Sequence, residues 1–326
     1  MTRRDDLPAL VADIGGTHAR FSLVQPRAVR ADEPVVLMTA LYPTLQDALK
    51  AFLDQKGVTE LGGAALCAAG PVEGEAGMAS IAMTNCPWVV DTATITDATG
   101  VAEPMLVNDF TAVALSLPHL TSDDYTQIGG GTAARGAPMA VLGPGTGLGV
   151  SALIPTGTGR YVPLSGEGGH VSLAPGNERE ISVLFQLMQT HGHVSAERIL
   201  CGPGLEELYG ALGALTGSAE IGRPTAADIA RMAGDGTSPL ARETIEVFTG
   251  QLGAVAGDLA LTLGARGGVF LAGGILPRWG SLLDERLLRH RFEAKGRFKS
   301  YLADIPILLI TAKDVALTGL ASLVRA

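Results

Sequence analysis

Two glycine-rich strings, Asp13-Ile14-Gly15-Gly16-Thr17 and Gly143-Pro144-Gly145-Thr146-Gly147, carry residue types that suit an anion. Each follows an apolar run (Leu10-Val11-Ala12; Ala140-Val141-Leu142) and precedes a second β-prone run (Phe21-Ser22-Leu23-Val24; Val150-Ser151-Ala152-Leu153-Ile154), so each reads as strand–turn–strand. Glycine lets a backbone turn tightly at positive φ and bares N–H groups to an approaching phosphate. Thr17 and Thr146 add hydroxyl donors. Two such hairpins facing each other suit a polyphosphate held in a cleft between two domains. They are not the commoner glycine loops. No Gly-x-x-x-x-Gly-Lys-Ser/Thr string occurs. Gly145-Thr146-Gly147-Leu148-Gly149 misses the dinucleotide spacing and runs into a strand-like segment, not a helix.

Three further clusters carry polar chemistry. Asn108-Asp109 sits where a strand ends and a helix begins, a position where α/β proteins collect ligands. A carboxylate there either caps the helix or takes a proton from a substrate hydroxyl, a role worth about 10²–10⁴ in rate. Ser165-Gly166-Glu167-Gly168-Gly169-His170 puts a carboxylate and an imidazole on a loop too glycine-rich for a helix. A metal site built on Glu-x-x-His needs that helix and a second such pair, and neither is present in the sequence. In His193-Val194-Ser195-Ala196-Glu197-Arg198, Glu197 is either a ligand or half of a surface ion pair with Arg198.

The elements that must position these residues follow from periodicity. Strands are expected at 10–13, 20–25 and 35–41, then a helix over 44–56 with Thr44 as its N-cap, closing near Gly57. A short buried strand, 63–69, ends in Gly70-Pro71. Met83-Thr84-Asn85-Cys86-Pro87-Trp88 reads as a polar loop. The strand 105–107 leads into the helix at Asp109, which Pro118 stops. Strands and loops fill 139–175, helices 181–188, 204–215, 225–234 and 238–264. Strands at 269–272 and 305–310 precede a last helix at 315–324. Each half opens with a glycine hairpin and then alternates strands with helices. The expected fold is α/β, two related lobes of mixed sheets flanked by helices. The expected division is 1–117, 118–311, and a terminal helix, 312–326, returning to the first lobe.

Composition narrows the function classes. Of 326 residues, 47% are hydrophobic and 17% charged, with a net charge of −9. No dense Lys/Arg run exists; 286–299 is the most basic stretch and reads as a solvated helix face, so no nucleic-acid partner is expected. The apolar region 255–276 is broken by Asp258, Arg266 and glycines, so no membrane span is expected. Met1-Thr2-Arg3-Arg4-Asp5-Asp6 has no long apolar h-region, and Cys67, Cys86 and Cys201 have neither metal-ligand spacing nor even pairing. A cytoplasmic protein with reduced, mostly buried thiols is expected.

In order, the motifs resemble the bacterial ATP-dependent glucokinases of the hexokinase–actin-like superfamily. The match includes Ala12-Asp13-Ile14-Gly15-Gly16-Thr17, Asn108-Asp109-Phe110, Leu142 through Gly149, Gly166 through His170, His193 through Leu200, Gly202-Pro203-Gly204-Leu205 and Leu271-Ala272-Gly273-Gly274-Ile275. The resemblance implies two actin-like (ribonuclease H-like) lobes with a cleft between them, and transfer of the γ-phosphoryl of MgATP to O6 of D-glucose. It makes Asp109 the catalytic base, with Asn108, Asp109, Glu167, His170 and Glu197 binding the sugar hydroxyls. It makes Ala12, Asp13, Ile14, Gly15, Gly16 and Thr17, with Gly143, Gly145, Thr146 and Gly147, the two phosphate loops, and Gly273-Gly274 the adenosine loop. Asp13 would orient the water shell of Mg²⁺ bound to ATP, with no metal held by protein ligands alone. His18 departs from the Asn common at that place. The cysteine-rich zinc motif of the related repressor/kinase branch is absent, so no structural zinc is expected, nor is an N-terminal DNA-binding region. A homodimer is implied. A kinase for another hexose, an inactive sugar-binding regulator and an actin-like ATPase are the alternatives.

Overall fold

The computed structural model describes residues 6–75, 77–83, 86, 88–157, 159–217 and 223–324. In chain order the elements are β1 (Ala9–Ile14), β2 (His18–Val24), β3 (Val35–Met38), α1 (Leu45–Lys56), β4 (Gly63–Ala68), β5 (Ser80–Ala82), β6 (Val89–Asp91), α2 (Thr92–Thr99), β7 (Met105–Asn108) and α3 (Asp109–Ser116). There follow β8 (Tyr125–Ile128), β9 (Met139–Pro144), β10 (Leu148–Pro155), β11 (Tyr161–Gly166), α4 (Glu178–Met188), α5 (Gly202–Thr216), α6 (Ala226–Gly234) and α7 (Pro239–Leu263). The chain ends with β12 (Val269–Leu271), α8 (Leu276–Trp279), α9 (Glu285–Glu293), α10 (Lys299–Ala303), β13 (Ile307–Ile310) and α11 (Val315–Leu323). Two compact units result. One holds the residues up to Leu120 and those from Ala312 onward; the other is Thr121–Thr311.

The first unit is built on a mixed sheet in the order β3-β2-β1-β4-β7. β1 pairs antiparallel with β2 and parallel with β4, and β4 pairs parallel with β7. Side chains alternate across the sheet. Leu10, Ala12 and Ile14 share one core with Leu49 and Phe52 of α1 and Ile95 of α2. Val11, Ala65 and Cys67 share the opposite core with Ala112 of α3 and Leu317, Leu320 and Ala321 of α11. By this parity Asp13, two residues after Val11, belongs to the face that α3 and α11 cover. α1 forms as its sequence dictates: Thr44 accepts from the Asp47 N–H at 3.2 Å, and Gly57 closes it at φ 64°.

The second unit has a sheet in the order β11-β10-β9-β12-β13-β8. Its first five strands repeat the arrangement of the first unit: an antiparallel meander, then parallel β12 and β13. Helices α5 and α7 supply Leu205, Leu208, Leu212, Phe248 and Leu252 to its core, against Ala140 and Leu142 of β9. Among the described residues, no helix is long and apolar enough to cross a membrane.

Two expectations change. The basic stretch 286–299 is solvated only in part: Arg286, Arg297 and Lys299 are exposed, but Arg289 and Arg291 are not. Arg289 is 8% exposed and donates to the carbonyls of Leu302, Ala303 and Ile305. Arg291 forks onto Glu180, itself 4% exposed, at 2.6 and 2.9 Å. Those two cations tie α9 to the chain around it. The strand expected at 35–41 stops at Met38, where Thr39–Leu41 form a 3₁₀ turn whose Thr39 hydroxyl donates to the Gly16 carbonyl at 2.8 Å. In the loop read as polar, Thr84, Asn85 and Pro87 lie outside the described residues.

Candidate active site

Both glycine strings are hairpins. Ile14 pairs with Ala19, and the Gly15 N–H donates to the His18 carbonyl at 3.0 Å. Pro144 pairs with Leu148, and the Gly145 N–H donates to the Gly147 carbonyl at 2.8 Å. The glycines are needed for a reason other than the one expected. Gly15, Gly145 and Gly147 do not have positive φ; Gly15 and Gly147 are crowded instead. A Cβ on Gly15 would lie 2.8 Å from the His18 carbonyl oxygen, and one on Gly147 would lie 2.5 Å from Oε2 of Glu197. Gly16 is half-buried, while Thr17 and Thr146 are exposed at the turn tips. Gly273 does take φ 89°, and a side chain there would overlap the Pro144 carbonyl. The Ala272 N–H donates to the Leu142 carbonyl at 2.9 Å, so the Gly273-Gly274 turn lies against the β9 end that contains Gly143.

In the first unit, Asp13, next to last in β1, stands opposite Arg20 of β2 and Cys67 of β4. Its Oδ2 lies 3.4 Å from Arg20 Nη1, and Oδ1 accepts from the Cys67 thiol at 3.6 Å. Burial raises the Asp13 pKa above the ordinary 3.8, and Arg20 opposes that shift. Burial, aided by the charges of Asp13 and Asp109, holds the Cys67 thiol well above its usual range. One strand over, β7 ends at Asn108, beside Ala68. Capping falls to Asn108 rather than Asp109. Asn108 Oδ1 accepts from the N–H groups of Phe110 at 2.9 Å and Thr111 at 3.3 Å, while Nδ2 donates to the Gly70 carbonyl at 3.0 Å. Asp109 is thereby the first residue of α3, half-buried, with Oδ1 also accepting from the Phe110 N–H at 2.9 Å.

In the second unit, the sugar-loop candidates converge through backbone pairing. The Glu197 N–H donates to the Gly169 carbonyl at 2.9 Å, the Ala196 N–H to Val171, and the Leu173 N–H to Val194. A Cβ on Gly169 would overlap the Leu148 carbonyl oxygen, so this approach needs glycine. His170 Nδ1 comes within 3.8 Å of Glu197 Oε1, while Glu197 Oε2 accepts from the Leu148 N–H at 2.7 Å. Glu167 and His170 are exposed at the ends of a 3₁₀ turn, and His193 bonds the His170 carbonyl at 3.0 Å. Of the two readings of Glu197, the surface pair with Arg198 is not the one seen: Arg198 reaches Glu207 at 3.2 Å. Cys201 caps α5, its sulfur accepting from the Gly204 N–H at 3.2 Å, and burial pushes its pKa up to about 11. The three thiols are free and buried. Among the described residues no group of three His, Cys, Asp or Glu could hold a metal ion. A cavity of about 850 Å³ in this unit, lined in part by Pro203, Glu206, Tyr209 and Arg223, contains none of the candidate catalytic or binding residues.

A family model described as Glucokinase matches residues 10–326. The chain belongs to the glucokinase family. A glucokinase from Paramagnetospirillum magneticum is 49% identical over 317 residues, covering 97% of each chain. A crystal structure of glucokinase from an Antarctic psychrotroph superposes with a TM-score of 0.88 at 35% identity, covering 98% of each chain. A ROK family glucokinase from Streptomyces griseus, in complex with glucose and AMPPNP, shares the fold at a TM-score of 0.65 and 18% identity, covering 98% of this chain and 99% of that one. The actin-like α/β fold of these kinases is the fold described above.

Within this glucokinase fold, the structure brings Asp13 close to Cys67 and sets Asn108 at the end of the strand beyond, with Asp109 opening α3. It gathers His170, Glu197 and Gly147 in the second unit. Sequence reasoning missed Arg20, Cys67 and Asp314. The one available signal was Arg20: in a hairpin that pairs Ile14 with Ala19, it must stand across from Asp13.

Proposed function

We infer that the chain transfers the γ-phosphoryl of MgATP to O6 of D-glucose, giving ADP and glucose 6-phosphate, the first step of glycolysis. Membership of the glucokinase family is the observation that carries this reading. Asp109 is the base. With Asn108 capping the helix, its carboxylate is spared the main capping task, and its place at the start of α3 suits proton removal from a hydroxyl. Asn108 spends one amide hydrogen on Gly70 and keeps the second for a sugar oxygen. Glu167, His170 and Glu197 bind ring hydroxyls; a site that satisfies each hydroxyl rejects isomers that leave a buried polar group unpaired.

The hairpin N–H groups, with Thr17 and Thr146, hold the phosphates, and the Gly273-Gly274 turn takes the adenosine. Mg²⁺ enters as part of the nucleotide substrate and neutralises phosphate charge, with Asp13 holding its water shell. The protein's own work is positioning and charge stabilisation. We also place the protein in the cytoplasm, where buried free thiols persist. We propose that it acts as a homodimer, the commonest soluble assembly. Ile181, Phe185 and Met188, exposed at i, i+4 and i+7 on α4, support it. Light scattering on Phe185→Glu tests that point, a halved mass being expected.

A coupled assay with MgATP and a panel of hexoses tests the activity. The highest kcat/KM should fall on glucose. A higher value for mannose or fructose overturns the sugar assignment. Glucose binding without ADP release overturns the kinase and supports the regulator.

A further inference from the structure

We propose that Asp314 is a positioning residue for phosphoryl transfer, holding Arg20 so that the guanidinium fixes the carboxylate of Asp13. Asp314 stands at the N-cap of α11, where an Asp ordinarily accepts from the N–H groups of the first turn. It makes no such bond. It also sits at φ 54° and ψ 30°, a left-handed conformation that non-glycine residues adopt at a cost. Its carboxylate turns instead to Arg20, with Oδ1 3.0 Å from Nε, while Nη1 of the same guanidinium lies 3.4 Å from Asp13 Oδ2. Arg20 thus spans two carboxylates with two edges of its planar fork, which a lysine ammonium cannot do.

Stability does not explain the arrangement. Arg20 and Asp314 are 37% and 33% exposed at their side chains, and ion pairs that open to water add little to folding. The forgone cap and the left-handed backbone both detract from it. Local strain of this kind, held by its surroundings, points to function. The surroundings are specific here. α11 lies so close to α3 that a Cβ on Gly319 would overlap the Ala112 carbonyl oxygen. α3 begins with Asp109, and α11 begins just after Asp314, so one packed helix pair supports both the proposed base and the clamp on Asp13.

This inference rests on the reading that Asp13 acts on MgATP, and Asp13→Asn tests that reading separately: full turnover in that variant ends it, whatever Asp314 does. The inference itself is tested by Asp314→Gly, which removes the carboxylate and relieves the backbone. Its melting temperature should equal or exceed that of the unaltered protein. Its kcat should fall about tenfold and its KM for MgATP should rise, with KM for glucose unchanged, as expected for misplaced phosphate machinery. Asp314→Asn, which keeps an amide oxygen for Arg20, should lose less. Arg20→Lys should lose as much as Asp314→Gly, and the double variant should be no worse than either single one. Unaltered kcat and KM for MgATP in Asp314→Gly overturn the proposal. So do additive losses in the double variant, or a fall in kcat matched by a lower melting temperature and a higher KM for glucose.

Discussion

The two glycine hairpins share a backbone and differ in what grips them. The first ends in an acid, Asp13, held by a half-exposed arginine that answers to the start of the last helix. The second has no acid; its Leu148 N–H is taken at 2.7 Å by Glu197, a residue of the proposed sugar-binding set, and its Gly145 carbonyl by the Gly202 N–H at 2.9 Å. Similar strings can therefore carry different duties. The first proposed phosphate hairpin rests on an acid and its arginine, the second on a carboxylate of the proposed sugar-binding set. The arginines differ in the same way: Arg20 is open to water and works on position, whereas Arg291 is shut in with Glu180 and works on stability.

Four experiments sharpen or break that contrast. The largest effect is structural. Arg291→Gln leaves Glu180 buried without its cation, and should cost about 3–5 kcal/mol in urea unfolding; a loss no larger than that of a surface pair removes the distinction between the two arginines. Next is Asp13→Asn, expected to lower kcat about 100-fold with folding intact, against little change for Arg291→Gln measured well below its unfolding midpoint. Then Gly147→Ala, which forces Glu197 aside, should raise KM for glucose about tenfold, the worth of a lost charge-assisted hydrogen bond. A rise in KM for MgATP with KM for glucose unchanged would separate Glu197 from the sugar.

The smallest effect concerns Cys201, which caps α5 just beyond the second hairpin. Its pKa of about 11 leaves almost no thiolate at neutral pH. The thiolate is the reactive form, so a raised pKa slows alkylation. The rate in the native protein should climb about tenfold per pH unit until the pH nears that pKa. Labelling at pH 8 as fast as for an ordinary free thiol would show the cap to be open.

Much of this was legible beforehand. The apolar and β-prone runs on either side of the two glycine strings gave both hairpins, and Thr44 with Gly57 gave α1 its ends. What sequence could not supply was distance across the fold. Gly147 looks like a turn glycine until Glu197, far along the chain, is found against its Cα. The stretch 286–299 looks solvated until Glu180 is found facing Arg291, 111 residues away in sequence. Which of two adjacent side chains caps α3 is also undecidable from spacing; only their rotamers show that Asn108 accepts from both N–H groups while Asp109 shares that of Phe110. Asp314 gives no local sign at all: its backbone conformation follows from where α11 docks.

In the proposed reaction the Asp109 carboxylate removes the proton from the sugar hydroxyl. Turnover and glucose-induced thermal stabilisation measured together on Asp109→Ala test it most directly. Stabilisation by glucose should be largely kept while kcat falls at least about 100-fold. Turnover within about tenfold of the unaltered protein would contradict it, because a positioned base is worth more than that.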